Sequence, residues 1–296
     1  MSDFSTQFQH YQQQVNDALK ENFNLADNLS FQAAAYSLNA PGKRLRPIIA
    51  LATYEALTGK SATAEILAVV CSLEMFHTFS LIHDDLPALD NDSLRRGLPT
   101  CHTQFNEATA ILAGDLLLNQ AYLNLSQAKI APELKVQLIQ VLTQAAQHCV
   151  FGEQNDLLGE TKSLNQVELK QMFLDKTSAL FGASFAFGVI LSETSSHQEF
   201  LSLGVNLGLA FQIQDDVLDV IGDQTVLGKN IGSDEAEQKS TWVKLVGLEQ
   251  AQQDYQNYYQ QVEQKLLTLF PVATSATNSG QQFLLNLISS LKNRQK

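Results

Sequence analysis

The sequence predicts an all-α fold of about ten helices or more, and three observations carry that expectation. The six prolines of the 296-residue chain stand at Pro41, Pro47, Pro87, Pro99, Pro132 and Pro271, with none between Glu133 and Phe270. A sheet protein of this length needs turns throughout, and turns recruit Pro and Gly. Apolar residues recur three and four apart. One stretch carries Ile66, Val69, Val70, Leu73, Phe76 and Phe79, and another carries Leu134, Leu138, Val141, Leu142 and Ala145. No segment of roughly 20–50 residues repeats and no separate domain stands out. Residues 1–296 therefore read as a single domain, with a hydrophobic content of 45% that is enough for a sizeable core.

The formal net charge of −12 argues against nucleic acid, which needs a Lys/Arg footprint, and against electrostatic attachment to anionic lipid. Cys71, Cys101 and Cys149 form no CxxC pair, so a reducing compartment is expected and a disulfide framework is not. Cys101 and His102 are adjacent but lack partners at zinc spacing. The start, MSDFSTQFQHYQQQ, has neither a basic lead nor an apolar run. No stretch approaches the ~20 apolar residues of a membrane span. A cytoplasmic protein with no membrane span is the expectation.

Taken in order, residues 1–38 suit two amphipathic helices, and Asn39-Ala40-Pro41-Gly42 breaks them. Lys43-Arg44-Leu45-Arg46-Pro47 follows, with Pro47 suited to a first helical turn. Three cations at a helix start oppose the dipole. They read either as a solvated basic turn or as a clamp in which cations and helix N–H groups face one anion. Glu55, Glu65 and Glu74 stand apart and read as surface positions. His77, Leu81 and Asp84 share a helical face, and Pro87 should end that helix. Asp90 then falls on an irregular segment able to fold back towards Asp84, and His83 reads as a partner of the neighbouring acids. Ala110 to Asn119 continues as an apolar helix. Lys176-Thr177 lies in the apolar run Met172 to Ile190, where a lysine either snorkels or meets a buried anion. Thr274 to Gly280 reads as a loop before a last helix, and Lys292, Arg294 and Lys296 as a tail that either frays or closes over a bound anion.

Two acidic clusters dominate the chemistry. The first is Asp84, Asp85 and Asp90 in LIHDDLPALDNDSLRRGLPT, followed closely by Arg95 and Arg96. The second is Asp215, Asp216 and Asp219 in FQIQDDVLDV, at i, i+1 and i+4, with Gln212 one turn earlier. On a helix the second set points to one side. Carboxylates packed this closely repel, and no Arg lies within that run, so a metal ion is the simplest expectation. Oxygen-only ligands suit Mg²⁺, or Mn²⁺, rather than zinc. Mg²⁺ commonly bridges a few carboxylates to substrate phosphates. The chain also disperses Lys43, Arg46, Arg95, Arg96, Lys176 and Lys229 away from the acids, and it has no P-loop. A diphosphate on a hydrocarbon chain meets these demands.

In GKRLRP, HTFSLIHDDLPALDNDSLRRGLPTCH, DKT, FQIQDDVLD and LGKNIGSD the chain resembles the short-chain trans-polyprenyl diphosphate synthases, and among them the bacterial farnesyl diphosphate synthases. The match runs from about Ala40 to Gly247. The resemblance implies an all-α bundle around a central cavity, a homodimer, and isopentenyl and allylic diphosphates as substrates. It implies that Asp84, Asp85, Asp90, Asp215, Asp216 and Asp219 hold three Mg²⁺ on the allylic diphosphate. Arg95, Lys176 and Lys229 match residues that clamp the same diphosphate. Lys43, Arg46, His77 and Arg96 match the isopentenyl diphosphate site, and Thr177 and Gln212 match residues near the developing allylic cation. Glu153 departs from the pattern, which usually has Gln there, and Ser178 stands where Gly is more usual.

Product length follows from helix geometry under that resemblance. Phe79 precedes Asp84 by five residues, about 7–8 Å down the axis at the α-helical rise. Its ring should floor the pocket, with small Ser80 beside it, and C15 relatives commonly carry an aromatic residue there. Farnesyl diphosphate is therefore the expected product. Geranyl or geranylgeranyl diphosphate synthase is the alternative chemistry. A non-catalytic helical regulatory subunit of the same fold is the alternative without turnover, although such subunits usually lack one aspartate motif.

Overall fold

The structure is a computed structural model that describes the chain apart from residues 1, 24–27, 195–196, 222–239, 271–274 and 295–296. Its elements run α1 (Ser2–Asn22), α2 (Leu29–Leu38), α3 (Leu45–Thr58), α4 (Ala64–Asp84), β1 (Leu94–Arg95), β2 (Leu98–Pro99), α5 (Cys101–Gln104), α6 (Glu107–Gln127), α7 (Pro132–Thr161) and α8 (Gln166–Phe173). A π-turn (Leu174–Ser178), α9 (Ala179–Ser192), α10 (Gln198–Ile221), α11 (Trp242–Val246), α12 (Leu248–Leu269) and α13 (Ser275–Lys292) follow. The fold is all-α; its one described sheet is the β1–β2 hairpin. Helix starts are capped as their sequences suggest: Thr63 accepts from the Ile66 N–H, Asn106 from Thr109, and Asn165 forms a capping box with Glu168.

The chain forms two compact units, one of Met1–Leu51 with Ser61–Gln140 and one of Ala52–Lys60 with Val141–Lys296. In the first, α4 packs against α6, α1 and α2. Every residue of α4 from Val69 to Phe76 is buried, so this helix is covered on all sides rather than along one stripe. That corrects the surface placement of Glu74, which is 1% exposed. Its carboxylate accepts from Arg44 Nη1 at 2.8 Å, while the same guanidinium donates to Asn16 Oδ1 and to the carbonyls of Leu38 and Ala40. A buried acid persists only with such a partner. These bonds hold Arg44 at φ 53°, in the left-handed region. Arg44 is thus a structural residue of the Lys43–Arg46 run, not a solvated cation.

In the second unit α10 packs against α9 and α12, and α9 is buried from Leu180 to Ser192. Leu169, Met172 and Phe173 of α8 meet Leu209, Ile213 and Val217 of α10 and Trp242 in one core cluster. The loop expected before the last helix is instead helical from Ser275; Ser and Ala tolerate a helix start, and neither glycine nor proline interrupts 275–279.

Two helical stretches, Ala64–Asp84 and Gln166–Ser192, are long and apolar enough to cross a membrane by length and composition alone. Their most apolar windows are 61% and 78% buried against protein, as core helices are. Cys71, Cys101 and Cys149 form no disulfide, and Cys71 and Cys101 are buried.

Candidate active site

In the first unit, α4 delivers the aspartates from its C-terminal end. Asp85 caps it, donating its N–H to the Leu81 and His83 carbonyls, and Pro87 prevents a further turn. The chain folds back, so that the Asp90 N–H donates to the Asp84 carbonyl at 2.9 Å and Asn91, at φ 53°, to that of Leu86. The return of Asp90 towards Asp84 is what the sequence led one to expect.

The β1–β2 hairpin sets the two arginines. Leu94 pairs with Pro99 and Arg95 with Leu98. Arg96 and Gly97 make the two-residue turn with φ 54° and 78°, the double left-handed geometry that glycine eases. Arg95 folds onto buried Asp85, donating from Nε at 2.8 Å and also from Nη2, which reaches Asp92 at 2.9 Å. Burial pushes the Asp85 carboxyl up to about 6, against the pull of Arg95. Arg96 turns the other way. Its guanidinium lies against Gly42, where a Cβ would come within 2.8 Å of Nη1, and Nη2 is 3.8 Å from Glu74. Glu74 thus braces both Arg44 and Arg96 under the basic loop, with Lys43 exposed and Arg46 half-buried. Desolvation, then Arg46, Arg96, Arg95 and Arg44 in turn, push the His77 imidazole well below its ordinary pKa, so it is neutral among cations.

Phe79 is half-buried on α4, its ring edge-on to Phe76 at 5.3 Å and to His83 at 5.0 Å between centroids. Ser80 Oγ donates to the His77 carbonyl at 3.0 Å. His83 turns to α6: its Nε2 is 3.1 Å from the Ile111 carbonyl and 3.9 Å from Asp115 Oδ1, and its ring packs over Gly114, where any Cβ would collide with it.

In the second unit the π-turn presents Lys176 and Thr177 to different neighbours. Lys176 Nζ lies 2.7 Å from Glu153 Oε2 and 2.5 Å from Asp156 Oδ2, both on α7. Of the two readings left open by the sequence, this lysine meets anions. Thr177 Oγ1 donates to Gln212 Oε1 on α10 at 2.8 Å. On the same helix Asp216 and Asp219 are buried and Asp215 half-exposed, and Asp216 Oδ2 accepts from the Trp242 N–H at 2.6 Å.

No Arg lies within the second acidic run, but one from the far end of the chain reaches it. Arg294 Nη2 lies 2.7 Å from Asp215 Oδ1, and the guanidinium stacks 3.6 Å over the Phe211 ring. Arg294 neither frays nor stands alone: its Nε donates to Gln214, which also accepts from Tyr259. Lys229 and the rest of LGKNIGSD, and Lys296, lie outside the described residues.

Each aspartate set, one at the end of α4 and the loop after it, the other on α10, offers carboxylate oxygen alone, and such donors fit a hard divalent cation such as Mg²⁺. The sequence reading put Glu74 at the surface and Arg294 in a tail, and it gave Asp156 no role, although Asp156 stands four residues after Gly152 on one face of α7.

Comparison with known proteins agrees with this chemistry. Residues 27–269 match the polyprenyl synthetase family. The farnesyl diphosphate synthase of Micrococcus luteus is 41% identical over 262 residues, 87% of this chain and 89% of that protein. The geranylgeranyl diphosphate synthase of Cyanophora paradoxa is 41% identical over 246 residues, 80% of this chain and 81% of that one. The crystal structure of a Helicobacter pylori geranyltransferase complexed with magnesium and isoprenyl diphosphate superposes with a TM-score of 0.82 at 30% identity, covering 96% of this chain and 97% of that one. With the family matched over most of its length and relatives of this identity, the chain belongs to the polyprenyl synthetase family and is a prenyltransferase.

Proposed function

We propose that the chain condenses isopentenyl diphosphate with dimethylallyl diphosphate, and then with geranyl diphosphate, to make farnesyl diphosphate. The observation that carries the C15 product is Phe79, one and a half turns below Asp84 on α4 and braced by Phe76 and His83. A ring held on two sides is a firm floor for a growing chain. The resemblance adds that the enzyme is a cytoplasmic homodimer whose residues 1–296 form one synthase domain.

In this reading Asp84, Asp85, Asp90, Asp215, Asp216 and Asp219 hold Mg²⁺, three ions per site, with Mn²⁺ as a substitute. Bound Mg²⁺ supplies charge neutralisation for the departing diphosphate. Arg95, Lys176 and Lys229 bind that diphosphate, and their fixed charge favours cleavage of the allylic C–O bond. Lys43, Arg46 and Arg96 bind the diphosphate of isopentenyl diphosphate. His77, neutral beside them, donates a hydrogen bond without adding a fourth charge. Thr177 and Gln212 turn oxygen dipoles towards the allylic cation. The double bond of isopentenyl diphosphate attacks that carbon, a C–C bond forms, and the released diphosphate takes the proton, so no side-chain base is required. Apolar walls keep water from the cation.

A geranylgeranyl product is the second reading, favoured by the Cyanophora relative at 41% identity. The deciding experiment incubates the purified protein with Mg²⁺, isopentenyl diphosphate and dimethylallyl diphosphate and resolves products by chain length. A C15 product supports the proposal, C20 or C10 replaces it, and no condensation by folded protein favours the regulatory-subunit reading.

A further inference from the structure

We propose that His148 and Gln171 are positioning residues: by gripping Asp175 they fix the π-turn that aims Lys176. The inference rests on the reading of Lys176 as a ligand of the allylic diphosphate.

Asp175 is only 6% exposed and sits in the turn itself. A carboxylate this buried needs donors. It has two: His148 Nδ1 lies 2.7 Å from Oδ1, and Gln171 Nε2 donates to Oδ2 at 3.0 Å. Since a carboxylate only accepts, the imidazole donates from Nδ1. His148 comes from α7 and Gln171 from α8, so Asp175 ties the turn to two helices at once.

The turn needs such a tie because it is not regular helix. The Ala179 N–H reaches back to the Leu174 carbonyl, and Ser178 Oγ donates to that of Phe173. The extra residue per turn rotates the following side chains relative to an α-helix. Lys176 therefore faces Glu153 and Asp156 on α7, and Thr177 faces Gln212 on α10. One stripe of α7 serves the whole arrangement: His148, Gly152 and Asp156 stand at i, i+4 and i+8. Gly152 permits the close approach, since a Cβ there would collide with the backbone N and Cα of Lys176. With the backbone of Lys176 pressed onto α7 and its neighbour pinned, only the lysine side chain remains to move. It can pass from the α7 carboxylates to a phosphate without the turn shifting.

The test compares wild type with His148→Ala, His148→Asn, Gln171→Ala and Lys176→Ala, measuring kcat, both substrate KM values and Tm. The His148 side chain is 52% exposed, so its removal leaves the core packing alone. His148→Ala should raise KM for dimethylallyl diphosphate about tenfold, with KM for isopentenyl diphosphate unchanged, because misplacement of a binding group by a fraction of an ångström is costly. Gln171→Ala should act in the same direction. His148→Asn, whose amide nitrogen takes the place of Nδ1, should restore most of the loss. A fall in Tm with both KM values unchanged, or an equal rise in both, overturns the proposal. If Lys176→Ala raises the allylic KM and His148→Ala does not, the positioning role alone is wrong. If Lys176→Ala leaves the allylic KM unchanged, the assignment of Lys176 is wrong, and the inference goes with it.

Discussion

Arg294 holds Asp215 at 2.7 Å from 79 positions away in the chain, with its side chain 8% exposed and stacked on Phe211. The pair joins the segment after α13 to the helix of the second acidic cluster. Arg294→Gln should lower unfolding free energy by about 1–2 kcal/mol, as expected for loss of a charge-assisted bond to a partly solvated acid. A denaturant titration checks this. In a double-mutant cycle with Asp215→Asn the two losses should be less than additive; full additivity would show that the pair contributes nothing.

The acidic clusters carry the proposed metal chemistry, and Asp84→Ala or Asp215→Ala should lower turnover by orders of magnitude. Far-ultraviolet circular dichroism should be unchanged, since both side chains are half-exposed. Near wild-type turnover in either variant would discard its metal role.

Phe79→Ala removes the ring that Phe76 and His83 brace. The product distribution should shift towards C20, read by chromatography of the dephosphorylated alcohols. An unchanged C15 profile would place the floor elsewhere.

Glu153 is one of two carboxylates on Lys176 Nζ. Glu153→Gln should release the lysine more readily to an incoming phosphate, and KM for the allylic substrate should fall by about threefold, within the range of one charge-assisted bond. Initial-rate kinetics at saturating isopentenyl diphosphate measure it. A raised KM would mean that Glu153 aims the lysine rather than restraining it.

The depressed pKa of His77 has a definite sign. Folded His77 resists protonation, while the unfolded chain titrates near the ordinary 6.5. Below that pH the unfolded state binds more protons at this site, so the His77 contribution to stability falls as pH drops from about 7 towards 5, opposed by Asp85, whose raised carboxyl takes up protons in the folded state over the lower part of the range. His77→Gln should flatten this slope in denaturant melts taken across that range. A slope unchanged by the substitution would assign it to other groups.

The sequence by itself determined the helical class, the end of α4 at Pro87 and the return of Asp90, because these depend on local periodicity and on proline sterics. It also singled out both acidic clusters, the first by its crowding beside Arg95 and Arg96 and the second because i, i+1 and i+4 spacing has one outcome on a helix. Tertiary structure alone decided which charges meet. Glu74 reads as an isolated surface acid until Arg44 closes over it, and Arg294 reads as tail until it lies on Asp215. His83 stands beside the aspartates in the chain, yet its ring is held by α6. The presence of Lys176 was legible but not its partners, because a π-turn changes which neighbour each side chain faces, and no period in the sequence announces it. Local backbone geometry is written in short-range pattern. Pairing of buried charge depends on which distant helices share a core, and it is settled only when desolvation forces each buried acid to find its base.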